Sequence, residues 1–262
     1  MGFNLGNVYF DRILYVVIKD MKGNLLSVAN QVQNFAVDIT AESKDITDAR
    51  GRLLKKLYTS KAGTITLTSQ MMHLPTLAVA HGEDIIFAGQ DNKVVIQDQM
   101  KIPASQTEVT LTGLVDNTLE VYEYLSNGAT GKKYTLGTSA SAKEYVVDEG
   151  KKLTLPKDTD AAEYLVLFKR EVTSGAVLKN NSGKFPKTVE IGVFGLCGDP
   201  CEDERKGAYA VFPSVQPSPE VSFDFQTDST FEFKGDLQAS YCSGGNGELY
   251  SIVFPDEVIE DD

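Results

Sequence analysis

Apolar and polar residues alternate with a period of two in six separate stretches, and the backbone that presents such a pattern to a core is a half-buried β-strand. Phe35, Val37 and Ile39 alternate with Ala36, Asp38 and Thr40. The same period runs through 64–68, 108–112, 189–193, 221–225 and 231–233. A further stretch, 12–18, is rich in β-branched and aromatic residues and ends at Lys22-Gly23-Asn24, a turn by composition. The expected fold is mainly β, an antiparallel β-sandwich or barrel. One short flanking helix is expected. Ser69 can cap the segment 70–80 and Gly82 can end it, while Pro75 fits only if a helix starts again there.

The chain has 262 residues, enough for one large domain or two modest ones. Between 115 and 170 the strand signals become short and closely spaced, at 119–124, 133–136, 144–147, 152–155 and 164–168. Asn127-Gly128, Glu149-Gly150 and Pro156-Lys157-Asp158 punctuate them. The simplest arrangement is a main β-sandwich built from 1–114 and 171–262, interrupted by a small β-rich insertion module at 115–170. Two consecutive domains are the alternative.

Charge narrows the partners. Lys and Arg total 25 against 37 Asp and Glu, a formal net charge of −12. Such a chain repels nucleic acid unless a basic patch stands apart from the average. Its one concentrated basic stretch runs from Arg50 through Arg52, Lys55 and Lys56 to Lys61, and the segment 256–262 is acidic. Solvated surface is the ordinary reading of both; a contact surface with opposite charges on opposite faces is the sharper one. The longest apolar run, 13–18, is far below the roughly 20 residues that cross a bilayer. Met1-Gly2-Phe3-Asn4 does not begin a secretion signal, so use without export and without a membrane is expected.

Candidates for chemistry are few. Cys197, Cys201 and Cys242 could supply three zinc thiolates with His73 or His81 as a distant fourth ligand, but their spacing is not a pair of pairs. They are weak metal candidates; a disulfide or buried thiols account for them as well. His73 and His81, eight apart, do not share an i, i+4 helical face, and His73 among Met and Leu reads as a packed helix residue. No nucleophile stands beside either in a recognisable elbow. Ser243-Gly244-Gly245-Asn246-Gly247 lacks the Lys-Ser/Thr of a phosphate loop. No catalytic site, cofactor or metal is expected.

Two segments are more specific. From Asp38 to Thr68 the chain reads as an alternating strand, a polar connection with Asp48 and Gly51 as turn formers, and a second alternating strand. A two-stranded arm of this length is suited to a neighbour's edge, and its polar part, Lys44, Asp45, Asp48, Arg50, Arg52, Lys55 and Lys56, is the candidate oligomer contact. The second segment, 210–220, carries three prolines that exclude helix and call for an extended corner between strands. An ordinary long hairpin and a sheet-crossing corner are the bland readings.

At these segments the chain resembles structural proteins of tailed bacteriophages, most closely the tail tube (major tail) protein group. The likeness lies in 35–80 and in 185–254, the latter with Phe185-Pro186-Lys187-Thr188-Val189, Cys197-Gly198-Asp199-Pro200-Cys201, Pro213-Ser214-Val215-Gln216-Pro217-Ser218-Pro219 and Tyr241-Cys242. It covers less than half the chain as a loose pattern. The resemblance implies a β-sandwich or barrel with one flanking helix, whose sheets join between neighbours into stacked rings. It implies an arm that connects rings, a channel for genome passage, and partners that are copies of the chain and other virion proteins. Genomic DNA would be only a transient, non-specific neighbour, since an acidic wall repels its phosphates. The implied location is the virion, assembled in the host cytoplasm. The module at 115–170 departs from a minimal tube protein. A capsid decoration (cement) protein, also acidic, β-rich and oligomeric, is the alternative.

Overall fold

The computed structural model describes residues 8–200, 205–222, 230–239, 247–255 and 259. The chain runs β1 (Tyr9–Asp20), β2 (Leu25–Ala29), β3 (Asn34–Thr47), β4 (Leu53–Ser69), α1 (Leu74–His81), β5 (Ile86–Phe87), β6 (Val94–Pro103), β7 (Glu108–Thr110) and β8 (Glu120–Tyr124). It continues through β9 (Thr130–Leu136), β10 (Glu144–Val147), β11 (Lys152–Thr154), β12 (Glu163–Val172), β13 (Ala176–Val177), β14 (Val189–Gly198), β15 (Arg205–Pro217), β16 (Phe231–Leu237) and β17 (Ser251–Val253). The fold is mainly β, as the period-two pattern expects, with one helix among the described residues. It divides into two compact units, residues 1–85 with 178–262 and residues 86–177.

Unit 1 is a curled, half-barrel sheet in the order β2-β1-β14-β15-β16-β4-β3, with β17 added on β15. Alternation fixes which face is dry. Val16 and Ile18, Ile65 and Leu67, Val189 and Ile191, and Phe231 and Phe233 all turn to one core, into which α1 places Leu77 and Ala80. On the opposite face Tyr15, Phe194 and Tyr209 are cross-strand neighbours, with ring centroids 5.0 and 4.4 Å apart. Such aromatic pairs add to the ladder by stacking.

The helix starts later than Ser69 suggests. Ser69 ends β4, where its hydroxyl donates to the Gln31 carbonyl and accepts from the Met71 amide. His73 is the N-cap instead, and Pro75 sits in the first turn, where a missing N–H costs nothing. Gly82 closes the helix at φ 64°, and a Cβ there would collide with the Phe185 carbonyl. The proline-rich segment is strand up to Pro217. Between Phe212 and Val215 the register with β14 slips by one residue, so Pro213 lies at a bulge, where a strand tolerates proline. Just there β15 exchanges partners, from β17 at 209–211 to β16 at 215–217.

Unit 2 is a second small β structure in the order β6-β12-β8-β9-β10-β11-β7, antiparallel except for the parallel pair β9–β10. It is wider than 115–170. β6 pairs with β12 along its whole length, Val94↔Val172 to Pro103↔Glu163, and β7 pairs with β11, so ladder bonds draw 94–110 into this unit. Its core holds Ile102, Val121, Tyr134, Leu153, Tyr164, Val166 and Phe168. Tyr134 and Tyr164 meet edge to face at 5.5 Å, with hydroxyls donating to Asp158 Oδ2 and to the Pro156 carbonyl. Where the chain enters and leaves this unit, β5 and β13 pair side by side.

Candidate assembly surfaces

The sequence 34–69 forms one long hairpin. β3 and β4 pair from Asn34↔Thr68 to Thr47↔Leu53. β16 supports β4 only from Ser69 to Gly63. Among the described residues, 53–62 therefore pair with β3 alone. Ten residues at about 3.3 Å each carry the ribbon some 30 Å beyond the sheet. A two-stranded ribbon with both faces wet is marginal by itself, so its turn must be well specified.

Asp48 supplies that specification. Its Oδ1 accepts the amides of Arg50 and Arg52 at 2.9 and 2.8 Å, and its Oδ2 pairs with Arg52 Nε at 2.9 Å. Gly51, at φ 77°, donates to the Asp48 carbonyl and completes the turn. The hydrogen bond from the Arg52 amide, above the others, holds the Asp48 carboxyl below its ordinary pKa. Lys44 and Asp45 stand on β3, Arg50 on the turn, and Lys55 and Lys56 on β4, with Asp45 directly opposite Lys56. The hairpin brings together all seven contact candidates.

The sequence reading missed the apolar part of the same ribbon. Leu53 is 59% exposed, Leu54 66% and Tyr58 71%, and Ile46 and Leu57 are also exposed. Register slips at Glu42/Ser43 and Ile46/Thr47 leave an extra residue on β4 each time. These bulges break strict alternation and add twist. The available signal was a leucine pair, Leu53-Leu54, set between Arg52 and Lys55-Lys56 in an otherwise polar segment. Over 40–62 six Lys/Arg stand against three Asp/Glu, so the ribbon is net positive in a chain of net −12.

A second surface lies at the base of the ribbon. Beside the helix-covered core, Phe35, Val37 and Ile39 of β3, Ile13 of β1, Val193 of β14 and Ala210 of β15 line a largely apolar trough of about 530 Å³, whose lining also includes Asp11, Arg12, Gln33 and Asn34. Tyr250 and Ile252 border it.

Cys197 is buried, its thiol donating to the Lys206 carbonyl at 3.4 Å and its pKa raised by burial. Cys201 and Cys242 lie outside the described residues, as do 223–225, the glycine run 243–246 and most of the acidic segment 256–262. Among the described residues no group of three or more His, Cys, Asp or Glu is placed to hold a metal ion. No helix among them is long and apolar enough to cross a membrane.

His73 is the helix cap and not an interior residue. Its Nδ1 lies 2.9 Å from Thr76 Oγ1 and 3.3 Å from Ser27 Oγ, and the two hydroxyls lie 2.9 Å apart. Ser27 and Thr76, both buried, are the hydroxyls that a search along the sequence could not place beside it. The trio ties β2 to α1, and burial lowers the His73 pKa. His81 is buried in the last helical turn, and its Nδ1 has no hydrogen-bond partner among the described residues. Glu83 beside it takes Lys184 at 2.6 Å.

A two-unit β protein with a projecting, basic, leucine-tipped ribbon is the class these features define. The chain belongs to the YomU/Tube protein family, whose match spans residues 11–252. No curated protein matches it.

Proposed function

We propose that the protein is a phage tail tube subunit, a structural virion protein without catalysis that self-assembles into stacked rings around a channel for the genome. The ribbon at 40–62 carries this reading. It extends far past the β16 strand that supports it, exposes leucines and basic residues together, and supplies no residue to the core of its unit among the described residues. Membership of a family named for a tube supports the same role. Copies of the chain and other virion proteins are the partners. Genomic DNA passes without being held, because an acidic wall repels phosphate. Assembly would take place in the host cytoplasm and the product would reside in the virion.

Electron microscopy of the purified protein at high concentration, beside its mass in dilute solution, tests this. Hollow stacked rings are the expected result. Replacing 44–56 by a short turn is expected to leave a folded monomer that forms no tubes, and tubes from that variant would remove the ribbon from the assembly. A stable monomer or trimer that coats empty capsids would instead assign the chain to capsid decoration.

A further inference from the structure

We propose that the apolar trough of unit 1 receives the leucine tip of the ribbon from a second copy. The inference rests on the self-assembly reading above and names the contact that reading requires. Leu53 and Leu54 stand in water at the end of the ribbon, between Arg52 and Lys55. Exposed apolar clusters of this kind mark contact sites. The trough, about 530 Å³ and lined by Phe35, Val37, Ile39, Val193 and Ala210 with Asp11 and Arg12, offers the complementary surface, an open and largely apolar face beside a carboxylate.

One chain does not join the two by itself. Val37 and Ile39 sit at the ribbon's base, whereas Leu53 lies ten residues along β4 from Gly63, about 30 Å away. The ladder is continuous to Thr47↔Leu53, so the tip does not fold back. Charge favours the same exchange. The ribbon carries six Lys/Arg against three Asp/Glu, and with a total of −12 the remainder of each copy stands at −15. A positive tip is therefore drawn to the body of another copy. Tip in trough is a heterologous contact: each copy gives one tip and accepts one, so it propagates as a ring or a filament.

Mixing full-length variants tests this. One carries Leu53→Asp with Leu54→Asp. Two others carry Ile252→Lys or Val37→Lys at exposed trough positions, and thermal unfolding checks the fold of each. Sedimentation first establishes that the native chain associates. Each variant alone is then expected to associate at least tenfold more weakly than the native chain. A mixture of the tip variant with either trough variant should give a 1:1 dimer that does not grow, since it holds one intact tip and one intact trough. Trough variants that assemble like the native chain, or a mixture that stays monomeric, overturn the contact and leave the tube reading standing. Trough variants that assemble but unfold at lower temperature also overturn it, because the trough is then filled by its own chain. A native chain that never associates overturns both.

Discussion

Tyr164 shows what one buried polar atom costs. The ring is almost fully buried in unit 2, and its hydroxyl donates to the Pro156 carbonyl at 2.8 Å. Tyr164→Phe keeps the packing and strands that carbonyl, so a loss of about 1–3 kcal/mol is expected. Thermal unfolding of the variant reads it, and an unchanged midpoint would mean that water replaces the hydroxyl. His73 makes a pH prediction. Burial depresses its pKa, so the folded chain resists a proton that the unfolded chain accepts below about pH 6.5. The unfolded state then binds more protons, and stability falls as the pH drops through that value. His73→Gln should flatten this part of the profile between pH 7.5 and 5. A slope that persists unchanged would assign it to other groups.

At the scale of elements, the ribbon and the inserted unit make different demands. The ribbon's strands are held by cross-strand pairs and one turn, and the residues that order that turn were legible, because Asp and Gly at fixed offsets have a local reason to be there. Its leucines were not legible as a contact. Leu53-Leu54 reads as strand core until β16 is seen to end opposite Gly63, ten residues short of it. Unit 2 was legible as a cluster of short strands, but β6 was passed over because its partners in β12 lie 60 to 78 residues on. β5 and β13 bring its two ends side by side, and Ala88 donates to the Gly175 carbonyl beyond them. Replacing 89–174 by a short Gly-Ser link is therefore expected to leave unit 1 folded, with β-sheet circular dichroism and a cooperative transition. An unfolded product would show that unit 1 needs its insertion.

Across the whole molecule the charge is unevenly shared, an acidic body with a basic ribbon. Steering between such parts acts mainly on the rate of encounter. Lys55→Glu with Lys56→Glu should slow assembly about tenfold or more at low ionic strength, and added salt should narrow the gap as screening shortens the range. Light scattering against time measures both. Equal rates at low salt would leave the apolar tip as the sole source of association.

Local pattern dictates the β class, most strand positions, the turn at Asp48 and the short helix ended by Gly82, because each depends on neighbours within a few residues. Period two places a side chain in or out of a core whichever strand comes next. The tertiary structure alone decided which strands are neighbours and which stand alone. It set the limits of unit 2 through ladders of distant residues, and the hydroxyls at His73 through the packing of β2 on α1. It also ended β16 opposite Gly63, so that among the described residues 53–62 pair with β3 alone, since exposure depends on which strands reach one another.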